Sequence, residues 1–298
     1  MASGIIVIDK PEGITSFDVV AKIRRLYGTK KVGHTGTLDP LASGVLPVLV
    51  GRAVKASEYV TSSDKHYIAT LLLGVRTDTE DVTGRILTES CDIPSESEVR
   101  AAAAELVGEI MQTPPMYSAL KVGGKKLCDL ARAGITVERE ARPVTVFSIG
   151  IEKISEREYL LDVHCSKGTY IRTLLADIGD KLGCGGTMKT LRRCEAGGFY
   201  LSDALTLDEL EAMTLPEREA RLFPTERAFS SYREVTLPDF FSRLAHSGLE
   251  IYLEKIGFSA VEGERLVMKD KDGFFAFGEV RRFDSGLAIK PIKQFFEQ

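Results

Sequence analysis

Apolar residues along the chain fall into short β-branched runs and into longer segments with helical spacing. Residues 4–9 hold the unbroken run Gly-Ile-Ile-Val-Ile before an aspartate, which predicts a buried strand. Apolar side chains then recur every three to four residues, so we predict a helix that is capped by Ser16 and ended by Gly28. The chain therefore begins with a strand followed by a helix.

The middle of the chain repeats this alternation. A strand is predicted at 67–74, and Ser95 and Glu98 have the spacing of a capping box before an alanine-rich helix that ends at Gly108. The elements predicted after it are, in order, a short helix at 125–133 closed by Gly134, strands near 143–153 and 158–165, and a helix that opens at 169–172 and ends at Gly183. Arg172 is thus expected near a helix N-terminus, directly after a strand.

The composition of the chain changes beyond residue 200. Acidic helix-like segments occur at 206–213 and 215–222, and another begins near Pro238. Near the end, Asp272-Gly273 between two apolar runs predicts a β-hairpin. Because 298 residues exceed the size at which one core usually keeps growing, we expect a large domain at 1–235 and a small β-rich domain at 236–298.

Composition adds expectations about compartment and partners. The chain is 44% hydrophobic and 28% charged, as in ordinary globular proteins. The N-terminal apolar run is too short for a signal peptide and no segment approaches a membrane-spanning length, so we expect a cytoplasmic protein with no membrane partner. The five cysteines are odd in number and widely spaced, so we expect reduced, mostly buried thiols. Neither they nor the four scattered histidines indicate a metal site.

Charge is informative only locally. A net charge of −4 argues mildly against a nucleic-acid partner, because phosphate neutralisation supplies much of RNA affinity. A phosphate contact, however, depends mainly on charges within about 8–10 Å. Two basic runs are candidates for such contacts: Lys22, Arg24, Arg25, Lys30 and Lys31, and then Lys121, Lys125, Lys126, Arg132, Arg139 and Arg142. Either run taken alone fits a solvated helix face equally well.

One segment is hard to explain by packing. Asp39 lies in His34-Thr-Gly-Thr-Leu-Asp39-Pro-Leu-Ala-Ser-Gly44, which is dense in glycine, threonine and proline. Gly33, Gly36 and Gly44 permit positive φ and close backbone approach, and Pro40 biases Asp39 away from the helical region. An Asp-Pro pair alone usually marks a turn or a cap, but this setting indicates a reactive carboxylate on a rigid turn.

That segment closely resembles the catalytic motif of the TruB family of tRNA pseudouridine synthases. Four more segments resemble the family in the same order, and together they span roughly residues 4 to 200: Asp9-Lys-Pro-Glu-Gly-Ile-Thr-Ser16, Lys65-His-Tyr67, Pro114-Pro-Met-Tyr-Ser-Ala-Leu-Lys121 and Cys165-Ser-Lys-Gly-Thr-Tyr-Ile-Arg172. The resemblance implies an α+β (mixed α/β) catalytic core around an antiparallel sheet. It also implies an RNA-contacting insertion at about 110–142 and, on weaker motifs, a PUA-like RNA-binding domain at 236–298.

The resemblance assigns catalytic roles to three residues. Asp39 is implied to be the nucleophile, acting at C6, at C1′ or on the proton at C2′. Arg172 is implied to be its counter-ion, and an adjacent guanidinium is expected to lower the pKa of the carboxyl and offset its desolvation. Tyr67 is implied to stack on the base and to move a proton. Without the resemblance, Arg172 fits a surface helix arginine and Tyr67 a core residue.

A second set is implied at the substrate or RNA surface: His34, Lys10, Tyr117, Lys121 and Leu191. His34 is expected to enter the RNA loop after the target base leaves, or otherwise to brace the turn. Lys10 with Pro11 is expected to support the catalytic loop. Leu191 is implied to pack on the flipped base, although a lone leucine is most often a core residue.

The implied reaction is the isomerisation of uridine 55 in the T-loop of tRNA to pseudouridine. It needs no redox agent and no metal, so we expect no cofactor, the tRNA T-stem-loop as partner, and a monomer. A non-catalytic RNA-binding or RNA-folding protein that uses the same cleft is a rival from another class. A phosphate-transfer or hydrolytic enzyme is excluded, because the glycine-rich segment lacks the Gly-Lys-Ser/Thr ending that grips phosphate.

Overall fold

The structure is a computed structural model that describes residues 2–61 and 63–295. Its helices are α1 Ser16–Leu26, α2 Ser57–Thr61, α3 Glu96–Ala104, α4 Leu127–Arg132, α5 Ile171–Lys181, α6 Leu207–Ala212, α7 Leu215–Ala220 and α8 Asp239–His246. Its short 3-10 helices are Gly51–Ala56, Leu201–Asp203, Thr225–Phe229 and Leu253–Ile256. Its strands are β1 Gly4–Lys10, β2 Val32–His34, β3 Ala42–Val50, β4 Lys65–Leu73, β5 Val75–Thr77, β6 Ile86–Glu89, β7 Gly108–Gln112, β8 Lys121–Val122, β9 Lys125–Lys126, β10 Arg142–Lys153, β11 Glu158–Cys165, β12 Gly186–Ala196, β13 Phe199–Tyr200, β14 Arg233–Thr236, β15 Ile251–Tyr252, β16 Arg265–Asp270, β17 Gly273–Phe283 and β18 Gly286–Gln294.

One large sheet forms the body of the chain. Its strands follow the order β1-β3-β12-β4-β11-β10-β7, with β2 beside β3 and β13 beside β12. Among these pairs only β3 with β12 is parallel, so the predicted antiparallel core of a mixed α/β fold is confirmed with one exception. Polar and apolar residues do not alternate along strand β1, because both of its faces are buried. Ile6 and Ile8 join one core, while Ile5 and Val7 join another.

Helices α1, α3 and α5 share the larger of these cores with the sheet. The N-cap of α1 is Thr15 rather than the predicted Ser16, because the Thr15 side chain accepts the backbone N–H of Asp18 in a capping box. Ser16 is buried, and its hydroxyl accepts the backbone N–H of Leu38 at 2.9 Å and donates to the Leu38 carbonyl at 3.0 Å. This exchange ties α1 to the residue before Asp39.

Most elements lie where the pattern predicts them, including α4, α5, β10, β11 and the β16–β17 hairpin. The capping box of Ser95 and Glu98 is confirmed. Helix α3 ends at Ala104 instead of Gly108, because Gly108, at φ +110°, begins the unpredicted strand β7. Edge strand β7 is short and only partly buried, so its sequence shows little periodicity.

A second sheet, with strand order β14-β16-β17-β18-β15, forms the β-rich C-terminal domain. It meets the rest of the chain at an aromatic cluster centred on Phe229, whose ring contacts Tyr59 at 5.0 Å and Phe277 at 4.5 Å between centroids. Strand β14 spans the predicted boundary at 235/236, and the division of the chain at that point stays a prediction.

Two further observations concern composition. No helix in the described part of the chain is long and apolar enough to span a membrane. All five cysteines are free, but only Cys165 and Cys184 are buried. The expectation of mostly buried thiols is therefore wrong for Cys91, which is exposed, and for the half-buried Cys128 and Cys194.

Candidate active site

Asp39 lies on the loop between β2 and β3, and backbone hydrogen bonds fix that loop on both sides. The N–H of Ala42 donates to the Asp39 carbonyl at 3.0 Å, and the N–H of Gly13 donates to the Pro40 carbonyl at 2.8 Å. Upstream, the N–H of Thr35 donates to Pro47 at 3.1 Å. With the Ser16–Leu38 exchange, these bonds hold the loop in one conformation.

Two of the three glycines in the Asp39 segment have the positive φ that the sequence indicated. Gly36 lies at φ +87° and Gly44 at φ +103°, whereas Gly33 lies in β2 with an ordinary φ. A Cβ on Gly44 would overlap the backbone of Arg193 in the parallel neighbour β12. Gly44 therefore permits the contact that brings β12 against the loop.

The structure brings the predicted acid and its counter-ion together. Nε of Arg172, in the first turn of α5, lies 3.0 Å from Oδ2 of Asp39. The guanidinium also donates to the carbonyl of Thr79 at 2.8 Å and to that of Tyr117 at 2.7 Å. Its side chain is only 6% exposed. Arg172 is therefore a fixed cation and not a surface helix arginine.

Asp39 itself remains accessible, with 38% of its side chain exposed. Protein nevertheless surrounds most of the carboxyl, and this burial raises its pKa above the ordinary 3.8, while Arg172 opposes the rise and the carboxylate of Asp81 adds to it. The expectation that Arg172 offsets desolvation is thus wrong in its net direction. A raised pKa makes the ionised carboxylate a better base and nucleophile than a free aspartate.

Sequence reasoning missed Asp81, a second carboxylate at the site. Its Oδ2 lies 3.7 Å from Nη1 of Arg172, and its side chain is 8% exposed. Its Oδ1 accepts hydrogen bonds from the hydroxyls of Thr79 and Thr83 and from the Thr83 N–H. The signal in the sequence was the alternation of threonines with three acids in residues 77–83.

Glu80, between these residues, has the only positive φ found at a non-glycine position in the described ranges, +63°. Its carboxylate accepts a hydrogen bond from the Thr173 hydroxyl of α5 at 2.6 Å. Such a backbone conformation costs about 1–3 kcal/mol and persists only where the surroundings enforce it. It turns the Thr79 carbonyl and the Asp81 carboxylate toward the same guanidinium.

A recess of about 260 Å³ opens beside this pair. Asp39 and Arg172 line it together with three other predicted residues, Tyr67, Tyr117 and Leu191. Tyr67 and Leu191 are each 7% exposed, from the neighbouring strands β4 and β12. Burial raises the pKa of the Tyr67 phenol, so the group is protonated near neutral pH.

Arg193 and Lys65 also line the recess, and the sequence analysis gave neither a role. Arg193 is 1% exposed, donates to the carbonyls of Val45 and Gly36 at 2.7 and 3.0 Å, and hydrogen-bonds to Tyr67. In a strand, residues two apart share a face, so the placement of Leu191 predicts that Arg193 points the same way. Burial lowers the pKa of Lys65 to about 8.

His34 lies outside the recess, on an adjoining groove that also reaches Asp39 and Arg172. Burial lowers the pKa of its imidazole, which is therefore neutral near pH 7, and its buried Nδ1 has no hydrogen-bond partner among the described residues. Lys126 and Arg132, from β9 and α4, line the same groove. Lys121 is exposed on the β8–β9 hairpin and lines neither cavity.

Lys10 does not face the substrate side. Its side chain is fully buried, and its ammonium donates to the carbonyls of Ala42 at 2.6 Å and Pro11 at 2.8 Å. Burial lowers its pKa to about 8. Its place among the RNA-surface residues is therefore corrected, because a buried lysine bonded to the loop backbone supports the loop.

The two basic runs differ in what surrounds them. Lys22 and Arg25 of α1 lie 2.7 and 2.9 Å from the carboxylate of Glu211 in α6, so part of the first run is neutralised. The second run surrounds the exposed hairpin and α4, at the edge of the groove. In the part of the chain that the structure describes, no set of three metal-ligating side chains meets at the recess.

Comparison with known proteins places this geometry in a family. Residues 24–171 match the profile described as TruB family pseudouridylate synthase, N-terminal domain, and residues 172–230 match that of the tRNA pseudouridylate synthase B C-terminal domain. Curated relatives named tRNA pseudouridine synthase B include one from Burkholderia mallei, 46% identical over 90% of each chain, and one from Alkaliphilus oremlandii, 42% identical over 99% of each chain.

Solved structures agree with this placement. A crystal structure of a Cbf5-Nop10-Gar1 complex contains a chain that is 27% identical to this one, with a TM-score of 0.76 over 99% of this chain and 85% of that chain. An H/ACA RNP bound to a substrate RNA containing 2′-deoxyuridine gives 25% identity and a TM-score of 0.73 over the same shares. The chain belongs to the TruB family of pseudouridylate synthases.

Proposed function

We propose that this chain converts uridine 55 in the T-loop of tRNA into pseudouridine, with Asp39 as the nucleophile. The observation that carries the proposal is the fixed pair of Asp39 and Arg172, 3.0 Å apart, at the wall of a recess that a nucleobase can enter. The relatives named tRNA pseudouridine synthase B support tRNA as the substrate class.

The reaction breaks the bond from C1′ to N1 and forms a bond from C1′ to C5. C5 loses its hydrogen and N1 gains a proton, so the product is an isomer of the substrate and no redox partner or cofactor takes part. Asp39 forms the covalent or closely associated intermediate, Arg172 stabilises its charge, and Tyr67 stacks on the base. A structure with a T-stem-loop that contains 5-fluorouridine identifies whether Asp39 acts at C6, at C1′ or on the C2′ proton.

The target base must leave its stack to reach the recess, at a cost of a few kcal/mol. His34 enters the gap in the RNA loop, and a stacked ring recovers about 1–3 kcal/mol. Its neutral imidazole and its position on the groove beside Asp39 support this role. Tyr117 borders the base, Leu191 packs on it, and Lys121 with the insertion at about 110–142 contacts the phosphates.

The C-terminal sheet serves as a PUA-like RNA-binding domain at 236–298, which follows the catalytic domain at 1–235. The enzyme acts as a monomer in the cytoplasm, where its tRNA substrate is present, and needs no metal for the reaction. The five-stranded sheet and its packed junction with the catalytic body support the idea of a separate C-terminal module.

Release of tritium from C5-labelled uridine in a tRNA transcript tests the proposal. Wild-type protein should release tritium, and a transcript with cytidine at position 55 should abolish release. Asp39→Asn should lower the single-turnover rate by about 10³-fold or more while the protein still binds tRNA. No release by the wild type would favour a non-catalytic RNA-binding protein, and ample release by Asp39→Asn would remove Asp39 as the nucleophile.

A further inference from the structure

The large sheet carries a cluster of metal-ligating side chains on the face opposite the recess. Strand β4 alternates, so Tyr67 points to the core and recess while His66 points to the other face. His66 is directly opposite His164 of the neighbouring strand β11, and Asp162 lies two residues before His164 on the same face. The three residues are separated in the sequence by 96 and 2 positions, so only the strand register brings them together.

The donor atoms of these side chains converge. Oδ1 of Asp162 lies 2.8 Å from Nε2 of His66 and 3.8 Å from Nε2 of His164, and one donor atom from each residue lies within 4.8 Å of the other two. The two imidazole rings stack, with centroids 3.9 Å apart and planes 19° from parallel. The hydrogen bond to Asp162 explains the position of His66. The imidazole of His164, at 3.8 Å, is too far to donate a hydrogen bond to the same oxygen.

We propose that His66, Asp162 and His164 form a binding site for a borderline divalent metal ion such as Zn²⁺. Two imidazole nitrogens and one carboxylate oxygen are the donor set that Zn²⁺ and its neighbours in the first transition row accept. Zinc bonds of about 2.0–2.2 Å place neighbouring donor atoms about 3.3–3.6 Å apart, so the 3.8 Å pair must close slightly and the 2.8 Å pair must open. The stacked imidazole rings must also tilt, because the lone pairs of near-parallel rings do not point at one ion. The side chains of Asp162 and His164 are 51% and 46% exposed, so they are free to adjust.

The surroundings favour an open coordination position. His164, Asp64 and Glu195 line a shallow depression beside the cluster, which gives water or a further carboxylate access to the ion. The carboxylate of Asp162 supplies one negative charge at the ion, and the imidazoles bind as neutral ligands. A bound ion joins β4 to β11 and so stabilises the strand that carries Tyr67.

The sequence analysis predicted no metal site because the four histidines are scattered, so this inference revises that expectation. It does not depend on the proposed function, since the cluster faces away from Asp39 and the recess. In residues 2–61 and 63–295, no other three side chains of this type converge as closely. His246 provides a matched control, because its Nε2 lies 2.8 Å from Oδ2 of Asp270 in a pair without a second histidine.

Calorimetric titration of metal-free full-length protein with ZnCl₂ tests the site. We expect wild type to bind one Zn²⁺ with micromolar affinity. His66→Gln and His164→Gln should each weaken this binding at least tenfold, and His246→Gln should change it less than twofold. All variants keep the five cysteines, so zinc bound by thiols persists in a His66→Gln/His164→Gln double variant and is subtracted.

Fold and ligand type need independent readouts. A far-UV circular dichroism spectrum and a urea transition that match those of wild type show that the fold of each variant is intact, independently of the proposed activity. With Co²⁺ in place of Zn²⁺, the visible spectrum of wild type minus that of the double variant should show no thiolate charge-transfer bands. The site is refuted if wild type binds no more Zn²⁺ than the double variant, if His246→Gln loses as much affinity, or if the Co²⁺ spectrum of wild type minus that of the double variant shows a thiolate ligand.

Discussion

At the scale of single residues, Arg172 and its partners define the geometry of the candidate site. The guanidinium has oxygens on all sides: those of Asp39, Asp81, Thr79 and Tyr117. Only the Asp39 carboxylate among these also faces the open recess with a substantial exposed fraction. The other three oxygens therefore fix the cation, and the cation in turn fixes the acid.

Asp81→Asn should lower the single-turnover rate about 10²-fold, because an amide presents an N–H group to a guanidinium that requires an acceptor. A displacement of Arg172 by about 1 Å is enough for such a loss. The affinity for tRNA should stay within about twofold, since the Asp81 side chain is only 8% exposed. Rapid-quench assays and filter binding separate the two quantities.

Asp78→Asn is the matched control for that substitution. Asp78 lies on the same segment, but its carboxylate accepts the backbone N–H of Arg85 at 2.8 Å and does not reach Arg172. The single-turnover rate of Asp78→Asn should stay within about twofold of that of wild type. Equal losses in both variants would show that the segment as a whole, and not the Asp81 charge, supports catalysis.

The raised pKa of Asp39 predicts how the single-turnover rate falls at acid pH. Because the ionised form reacts, the rate should fall as pH drops through this pKa, and the fall should begin above the pH expected for an aspartate with the ordinary pKa of 3.8. Asp81 contributes to the rise, so Asp81→Asn should shift the fall in rate to lower pH. If the acid-side fall in the single-turnover rate of Asp81→Asn occurs at the same pH as in wild type or at a higher pH, Asp81 does not raise the pKa of Asp39.

At the scale of elements, the conformation of the loop that carries Asp39 depends on how β3 meets β12. The two strands are parallel neighbours, and Gly44 lies against the backbone of Arg193. The sequence motif indicated a turn that needs glycine, and the structure supplies the reason. Residues about 150 positions apart meet there, so the contact could not be predicted from local pattern.

Gly44→Ala should lower the free energy of unfolding by about 2–6 kcal/mol, since a positive φ and an overlap with backbone each cost about 1–3 kcal/mol. Gly28→Ala is the control, because Gly28 also has a positive φ, +61°, but has open space where the Cβ would lie. It should cost about 1 kcal/mol. Urea denaturation followed by circular dichroism measures both, and similar losses would contradict a special role for the β3–β12 contact.

At the scale of the whole molecule, a feature could be predicted when the residues that form it are close together in the sequence. Asp39, Tyr67 and Arg172 could be proposed as site residues because their motifs are local and specific, and the structure places all three at the recess. Most helices and strands follow from periodicity and capping residues. The contacts of Asp81 and Arg193, the neutralisation of Lys22 by Glu211 and the meeting of His66 with His164 all join segments that are far apart in the sequence. Local pattern carries no information about which distant strands become neighbours.

The junction between the two sheets is such a long-range feature, and it yields a test of coupling across the molecule. Phe229 is fully buried, and its ring contacts Tyr59 of the catalytic body and Phe277 of the C-terminal sheet. Phe229→Ala should destabilise the chain by about 3–5 kcal/mol, because the cavity removes contacts on both sides at once. The C-terminal sheet should then unfold at a lower urea concentration than the body, so the urea transition should be broader than that of wild type or split in two.

Phe240→Ala provides the comparison, because Phe240 on α8 is 60% exposed and its removal should change stability by no more than about 0.5 kcal/mol. Since Phe229 lies away from the recess, the folded Phe229→Ala protein should still release tritium from a short T-stem-loop at a rate close to that of wild type. If the C-terminal sheet contacts RNA as proposed, the same variant should lose more activity on full-length tRNA than on the stem-loop. Equal losses on both substrates would argue that the junction serves stability alone.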